Sequence, residues 1–311
     1  MLNGSPDYVS PKQWQSRGKL EAVLGHSIFV LDEGDSSLPT IVLLHGFPTS
    51  SWDWQPIWSE LAKNYRLIAL DMLGFGFSDK PNSRTYTIHG QADIVEALVE
   101  IKGLKSFHLL AHDYGDTVAQ ELLARQLEGA GAGTWLSCCF LNGGLFPETH
   151  RALLTQKLLL SPLGSYLNAL TGFAKFGRNF SSVFGLQSKP SNQELEDFWW
   201  LINVNDGKHV FHNAMTYISD RLEHRERWVA AMQQSTIPVA VINGSVDPVS
   251  GAHMVARYKA LNCRLDYLAE LPLIGHYPQV EAPDEVRVHY ESFLGSLLID
   301  NGEGSNGRKT T

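Results

Sequence analysis

Short, almost continuously apolar runs alternate along the chain with longer segments whose apolar residues recur at helical spacing. Strands that are buried on both faces of a parallel sheet have such apolar runs. Two adjacent runs, 19–25 and 26–34, are predicted to form an opening hairpin. The alternation predicts an α/β fold with a mostly parallel, doubly wound sheet. The other strand-like runs are TIVLLHG (40–46), RLIALD (66–71), FHLLAH (107–112), WLSCCFLN (135–142) and PVAVING (238–244).

A break in this alternation predicts an inserted helical cap. The stretch 146–232 has helical patterns and Gly/Ser-rich joints but no clear strand, and it separates two predicted core strands. We therefore expect a core of residues 1–145 and 233–300, a cap of residues 146–232, and a flexible polar tail of residues 301–311. Outside the cap, helical patterns occupy 51–65, 87–103, 117–129 and 284–298.

Composition narrows the classes of partner. The chain has 311 residues, is 43% hydrophobic and carries a net charge of -8, and without a basic cluster this argues against a nucleic-acid partner. No apolar run is long enough to span a bilayer, and the N-terminus has no signal pattern. The 3 Cys residues have no paired spacing, which is typical of reduced thiols in the cytoplasm. We expect a cytoplasmic monomer or homodimer with no cofactor and no metal.

The segment FHLLAHDYGDTVA (107–119) places an aspartate between a predicted strand and a predicted helix. A nucleophile elbow is a sharp strand-to-helix turn that exposes one side chain and leaves room only for small residues around it. Ala111 and Gly115 meet this requirement around Asp113. The backbone N–H of Tyr114 would then lie at a helix N-terminus, where it can stabilise an oxyanion. Asp113 also fits a simple helix N-cap.

Three further stretches complete a catalytic pattern. HGFP (45–48) matches the loop that supplies a second oxyanion N–H, here that of Phe47, although it also fits a plain turn. Asp247 follows a predicted strand, and His276 precedes the last helix. The order Asp113, Asp247, His276 is the nucleophile, acid, histidine order of the hydrolase fold. Taken singly, Asp247 fits a turn residue and His276 an exposed loop histidine.

The motifs HGFP, DMLGFGFSDKP, AHDYGD, GSVDP and GHYPQVEAP resemble those of α/β-hydrolases with an aspartate nucleophile, the epoxide hydrolases and haloalkane dehalogenases. A resemblance to the mesoderm-specific transcript protein family extends over nearly the whole chain, through YVSPKQW, HDYGDTVAQELL and NGGLFPETHR. The resemblance implies an α/β-hydrolase fold with an inserted cap and a triad of Asp113, Asp247 and His276.

An aspartate nucleophile favours substitution at an sp³ carbon. A serine attacks carbonyl groups, whereas a carboxylate that did so would form an anhydride. Attack on an sp³ carbon leaves an alkyl ester on Asp113, which water activated by His276 can hydrolyse while Asp247 orients the imidazole. The N–H groups of Phe47 and Tyr114 would stabilise this second step. Epoxides and alkyl halides are therefore favoured over esters.

The leaving group separates these two substrate classes. The resemblance to epoxide hydrolases implies cap tyrosines that protonate the leaving alkoxide, and Tyr217 and Tyr166 are the candidates. Dehalogenases bind the halide through N–H side chains at positions that hold Tyr114 and Phe47 here. Trp199 is a further candidate for substrate contact. We expect an epoxide hydrolase that converts a small apolar epoxide to a vicinal diol, with a haloalkane dehalogenase and a non-catalytic binding protein as alternatives.

Overall fold

The computed structural model describes residues 8–82, 86–149 and 172–303. Within them, eight strands form one sheet. The strands are β1 (Lys19–Val23), β2 (His26–Glu33), β3 (Thr40–Leu44), β4 (Arg66–Leu70), β5 (Ser106–His112), β6 (Thr134–Leu141), β7 (Val239–Gly244) and β8 (Tyr267–Leu271).

The strand order in the sheet is β1-β2-β4-β3-β5-β6-β7-β8. Strand β2 pairs antiparallel with both β1 and β4, and every other neighbouring pair is parallel. The predicted hairpin and the predicted mostly parallel sheet are therefore confirmed. Strand β8 was not predicted, because YLAEL lies at the sheet edge and only two of its five residues are buried.

Helices follow the strands and cover both faces of the sheet. Several begin at a side-chain cap, and two of the described helices begin with a capping box, formed by Ser10 with Gln13 and by Ser191 with Glu194. The α-helices are α1 (Pro11–Arg17), α2 (Gln55–Leu61), α3 (Ile88–Ile101), α4 (Tyr114–Leu127), α5 (Phe173–Ser181), α6 (Asn192–Asn203), α7 (Phe211–Ala214), α8 (Tyr217–Glu223), α9 (Arg225–Gln234), α10 (Ala252–Ala260), α11 (Pro278–Glu281) and α12 (Pro283–Glu303), with 3-10 helices at Ser51–Trp54 and Val204–Val210.

Strand β3 shows why the apolar runs are continuous. Its five residues are all buried. Ile41 and Leu43 pack in the cluster that includes side chains of α2 and α12, whereas Val42 and Leu44 pack in the cluster that includes side chains of α3 and α4. Successive side chains of a strand point to opposite faces, so a strand with helices on both faces needs apolar residues at every position.

Helices make up most of the described residues between β6 and β7. Residues 172–234 form α5 to α9 and one 3-10 helix, without a strand in that range. The helical patterns of the predicted cap are at 150–160, 192–202 and 212–232. The last two are confirmed as mainly helical, and the first lies outside the described residues. The division of the chain into core and cap stays a prediction. Across the described ranges, no helix has both the length and the apolar character that crossing a membrane requires. The three cysteines are free and buried.

The carboxyl ends of the parallel strands lie at one edge of the sheet. Strands β3, β5, β6 and β7 run in the same direction, and each is followed by a loop at this edge. In open α/β sheets this edge is where ligands bind. The loops that follow these strands carry Phe47, Asp113, Asn142 and Asp247.

Candidate active site

Asp113 occupies a sharp turn between β5 and α4. Its φ and ψ are 47° and -102°, a conformation that is unusual for a residue with a side chain and is often found at functional sites. The turn brings α4 against the end of β3, where the Gly115 N–H donates to the His45 carbonyl at 3.0 Å. A Cβ atom on Gly115 would lie 2.4 Å from the Leu44 carbonyl oxygen. The small neighbour that the sequence predicts is therefore sterically required.

The Asp113 carboxylate faces the loop after β3 and does not cap α4. Its side chain makes no capping hydrogen bond to the helix, so the N-cap interpretation is wrong for the side chain. Instead, Oδ2 accepts a hydrogen bond from the Phe47 N–H at 3.1 Å. The Phe47–Pro48 peptide is cis. Tyr114 opens α4, so its backbone N–H has no partner within the helix.

His276 lies between the two carboxylates of the predicted triad. Its Nδ1 is 2.7 Å from Asp247 Oδ2, and its Nε2 is 3.8 Å from Asp113 Oδ1. His276 is only 5% exposed, so the alternative of an exposed loop histidine is wrong. The carboxylate of Asp247 accepts the Nδ1–H, which leaves Nε2 directed at Asp113.

Asp247 is held by several donors besides His276. Its oxygens accept hydrogen bonds from the Val249 N–H at 2.7 Å, the Ser250 hydroxyl at 2.8 Å and the Asn142 amide at 3.0 Å. The bond from Val249, two residues on, is the turn that the alternative interpretation of Asp247 describes. The same carboxylate thus shapes its own loop and orients the imidazole.

The charges of the triad act on one another. Burial alone would lower the pKa of His276, but the carboxylates of Asp247 and Asp113 outweigh it and raise that pKa to about 9. Burial alone would raise the pKa of Asp247, but the charge and hydrogen bond of His276, together with the other donors, bring it below its ordinary value. The resting site therefore holds an imidazolium between carboxylates at neutral pH.

Two residues that the sequence analysis did not single out hold His276 in place. His112 Nε2–H donates to the His276 carbonyl at 2.8 Å, and burial lowers the pKa of His112 to about 4, so it is neutral. Glu281 accepts hydrogen bonds from the backbone N–H groups of Gly275 and Tyr277 at 2.9 and 3.0 Å. Glu281 is part of the motif GHYPQVEAP, which was the available signal for its role.

A third buried carboxyl group, that of Asp116, lies next to the nucleophile elbow. Asp116 is fully buried, and its burial and the charge of Asp113 raise its pKa well above the ordinary value. Its carboxyl group is therefore harder to ionise than an exposed one, which weakens the like-charge repulsion between Asp116 and Asp113.

Tyr217 opens α8 and reaches the two predicted oxyanion residues. It is 1% exposed, and its ring centroid lies 6.2 Å from that of Phe47 and 5.1 Å from that of Tyr114. Burial and the charge of Asp113 raise the pKa of Tyr217, while Arg221 lowers it. Tyr217 is therefore protonated at neutral pH and lies beside the triad.

Helix α8 is joined to the sheet domain at both sides of Tyr217. The Thr216 hydroxyl donates to the Tyr86 carbonyl at 2.8 Å, and the Asp220 carboxylate accepts from the Ile88 N–H at 2.9 Å. The second bond supplies an acceptor to the first turn of α3, where backbone N–H groups lack helical partners. These contacts fix the position of Tyr217 relative to the elbow.

Of the two remaining candidates, only Trp199 lies within the described residues. Trp199 lies in α6, where its ring packs 5.1 Å from Phe176 and 6.3 Å from Phe173, and Lys208 Nζ lies 5.7 Å from its centroid. These contacts do not connect it with the triad, so its substrate contact stays a prediction. Tyr166 lies outside the described residues. Within the described ranges, no group of three or more His, Cys, Asp or Glu residues is arranged to hold a metal ion.

Comparisons with known proteins agree with this fold. The sequence profile of the alpha/beta hydrolase fold family matches residues 39–283. The mesoderm-specific transcript homolog protein of Bos taurus is 45% identical over 310 residues, which cover 95% of this chain and 92% of that protein. The protein LipZ of Mycobacterium tuberculosis is 34% identical over 291 residues, covering 94% of this chain and 99% of LipZ.

A similar solved structure is that of a loop variant of a haloalkane dehalogenase from Bradyrhizobium elkanii. It superimposes with a TM-score of 0.77 at 21% identity, over 92% of this chain and 98% of that chain. At this identity the likeness concerns the fold alone.

Proposed function

The chain belongs to the α/β-hydrolase fold family, and within it to the family of the mesoderm-specific transcript proteins, and on that premise we propose that it is an epoxide hydrolase. One observation carries the proposal. A carboxylate, Asp113, holds the elbow position, accepts the Phe47 N–H at 3.1 Å and lies 3.8 Å from His276 Nε2. A carboxylate there is suited to substitution at the sp³ carbon of an epoxide.

In the first step, Asp113 is the nucleophile. One carboxylate oxygen forms a bond to an epoxide carbon, the C–O bond of the ring breaks, and Tyr217 gives its hydroxyl proton to the released oxygen. The enzyme then carries a 2-hydroxyalkyl ester on Asp113. The position of Tyr217 against the rings of Phe47 and Tyr114 supports its role as this general acid.

In the second step, His276 activates water. Forming the ester removes the negative charge of Asp113, one of the charges that raise the pKa of His276, so the imidazole becomes neutral more readily. Neutral Nε2 then takes a proton from water, which attacks the ester carbonyl carbon. The N–H groups of Phe47 and Tyr114 stabilise the oxyanion. Its collapse breaks the ester C–O bond, and the proton on His276 passes to the departing alkoxide, which releases the diol and regenerates Asp113.

The substrate of this proposal is small and apolar, and the inserted helices α5 to α9 act as the cap over it. Phe47 is surrounded by aromatic rings, with centroids at 5.2 Å for Phe211 and 6.1 Å for Phe75. Apolar walls with a few polar groups are typical of small-molecule sites.

Halide release fits the described residues less well. A halide leaving group needs N–H side chains, and indoles are the usual source. The side chains of Phe47 and Tyr114, at the positions where dehalogenases bind the halide, carry no N–H. Of the eight indole N–H groups, four already donate within the protein, those of Trp14 to Ser51, Trp52 to Val9, Trp58 to Glu33 and Trp228 to Glu121, while that of Trp54 is buried without a partner among the described residues.

The test is to trap the ester. The His276→Gln variant is mixed with styrene oxide or, separately, with 1-bromohexane, and intact-protein mass is measured. We expect a gain equal to the whole mass of the epoxide, absent when Asp113→Asn is combined with His276→Gln. A gain of the alkyl group from the bromoalkane alone would support a dehalogenase instead, and no adduct from either compound would contradict both hydrolytic functions.

A further inference from the structure

Arg221 is a cation that is 1% exposed and lies one helical turn after Tyr217 on α8. Its Nε donates to the Thr117 hydroxyl in α4 at 2.8 Å, and its Nη2 lies 3.5 Å from the backbone carbonyl oxygen of Asp113. Burying a charge is costly unless polar groups hold it. The guanidinium is therefore fixed against the first turn of α4 and the nucleophile elbow.

The same guanidinium lies against the ring of Tyr217. The distance from Arg221 Cζ to the ring centroid is 4.5 Å, within the range of a cation–π contact. Residues four apart on a helix face the same side, so α8 itself sets this pairing. A neutral phenol is attracted to the cation through its ring, and a phenolate is attracted more strongly because it carries a full negative charge.

Ring opening in the proposed function moves negative charge from Asp113 to Tyr217. Before the step, the charge is on the Asp113 carboxylate. The new C–O bond neutralises Asp113, the epoxide C–O bond breaks, and the proton of Tyr217 passes to the epoxide oxygen. The charge is then on the Tyr217 phenolate, which regains a proton when ester hydrolysis releases one. Arg221 contacts the residue that loses the charge and the residue that gains it.

We propose that Arg221 is a positioning residue that holds Tyr217 at the elbow and stabilises its phenolate during ring opening. The inference rests on the proposed function. A fixed positive charge costs no reorganisation during the reaction, which is why prearranged charges are effective in catalysis. The role differs from a purely structural tie between α8 and α4, because it acts only when Tyr217 gives up its proton.

The experiment is a double-mutant cycle on the rate of ester formation. All variants carry His276→Gln, so that the first step is observed alone as the mass gain of Asp113 with styrene oxide. We expect Arg221→Met to slow ester formation roughly 10-fold, and Arg221→Lys to slow it less because the charge is kept. Combined with Tyr217→Phe, Arg221→Met should slow the reaction less than about 2-fold further. Arg225→Met, which removes a cation bound to Glu148, is the matched control and should leave the rate unchanged.

The outcomes separate the possibilities. An unchanged rate in Arg221→Met, or equal slowing with and without Tyr217, would overturn the inference while leaving epoxide hydrolysis in place. If the His276→Gln protein gains no mass from the epoxide, the proposed function and the inference are both overturned. Thermal denaturation checks that each variant is folded. If Arg221→Met does not fold, the same double-mutant cycle is run with Arg221→Lys. Replacing the planar guanidinium group with an ammonium group should slow ester formation only when Tyr217 is present.

Discussion

Glu281 accepts hydrogen bonds from the backbone N–H groups immediately before and after His276, at 2.9 and 3.0 Å. The same carboxylate accepts the Gly185 N–H at 2.8 Å and the Ser188 hydroxyl at 2.5 Å, both from the loop after α5. One side chain therefore fixes the loop of the proposed base and ties it to the inserted helices. The Glu281 charge also contributes to the raised pKa of His276.

Replacing Glu281 with Gln should lower both activity and stability. A carboxamide has one accepting oxygen and adds an N–H₂ group facing N–H donors, so some of these donors lose their partner. We expect turnover of styrene oxide to fall about 10-fold and the free energy of unfolding to fall by about 1–3 kcal/mol, measured by steady-state kinetics and denaturant titration. Glu285→Gln, an exposed position in α12, is the matched control. If both variants behave as the unmodified protein does, this account of Glu281 is wrong.

Replacing Asp113 with Asn should lower the pKa of His276. The pKa is raised to about 9 in part by the negative charge on Asp113, so removing that charge moves the titration to lower pH. The measurement is a ¹H–¹³C NMR titration of the His276 ring, assigned by comparison with His276→Gln. Asp284→Asn removes an exposed charge and should leave the midpoint of the His276 titration unchanged. The same midpoint in Asp113→Asn and the unmodified protein would show that Asp113 does not act on the imidazole.

Replacing Gly115 with Ala should unfold the elbow. The added Cβ would lie 2.4 Å from one backbone oxygen and 2.8 Å from the next, those of Leu44 and His45, and backbone atoms of a central strand cannot move aside. We expect a loss of stability of several kcal/mol or insoluble protein. Gly177→Ala in α5 is the control, because its Cβ meets only a contact at 3.5 Å and Ala favours a helix. Equal melting temperatures for the two variants would contradict the steric argument.

Replacing Glu148 with Gln should destabilise the protein more at neutral pH than in acid. Glu148 accepts from Arg225 and Arg257 at 2.8 and 2.9 Å, and the bond from Arg225 contributes most to lowering its pKa to about 2. The stability that the ion pairs of Glu148 contribute is therefore present above pH 4.5 and is lost as the pH falls towards 2. Since Glu148 is partly exposed, we expect only about 1 kcal/mol. Melting temperatures at pH 7 and pH 2.5 test this, with the exposed Glu100→Gln as control. A difference as large at pH 2.5 as at pH 7 would refute it.

The sheet was predictable because its signal is local. Each strand from β3 to β7 has side chains buried on both faces, and the resulting apolar run can be seen in a short window of sequence. Strand β8 lies at the edge and lacks such a run. The positions of Asp113, Phe47, Asp247 and His276 follow from turn chemistry and chain order, and the structure brings all four together.

The residues that support the triad were not predictable in the same way. Asn142 and Asp247 are 105 positions apart in sequence, and Arg221 and Thr117 are 104 apart. Such contacts exist only after the sheet has placed its loops together. Neither an isolated asparagine nor an isolated arginine in a helix has a local pattern that indicates this.

Helix α8 is inserted between two core strands, yet its contacts join it to the sheet domain. Thr216, Asp220 and Arg221 bond to Tyr86, to the first turn of α3 and to the first turn of α4. Buried contacts and hydrogen bonds such as these decide which segments unfold together. The backbone amides of α8 should therefore exchange with deuterium together with those at the start of α3 and α4. The segments that unfold together should therefore include α8 and the starts of α3 and α4. They do not follow the boundary between insertion and core in the sequence.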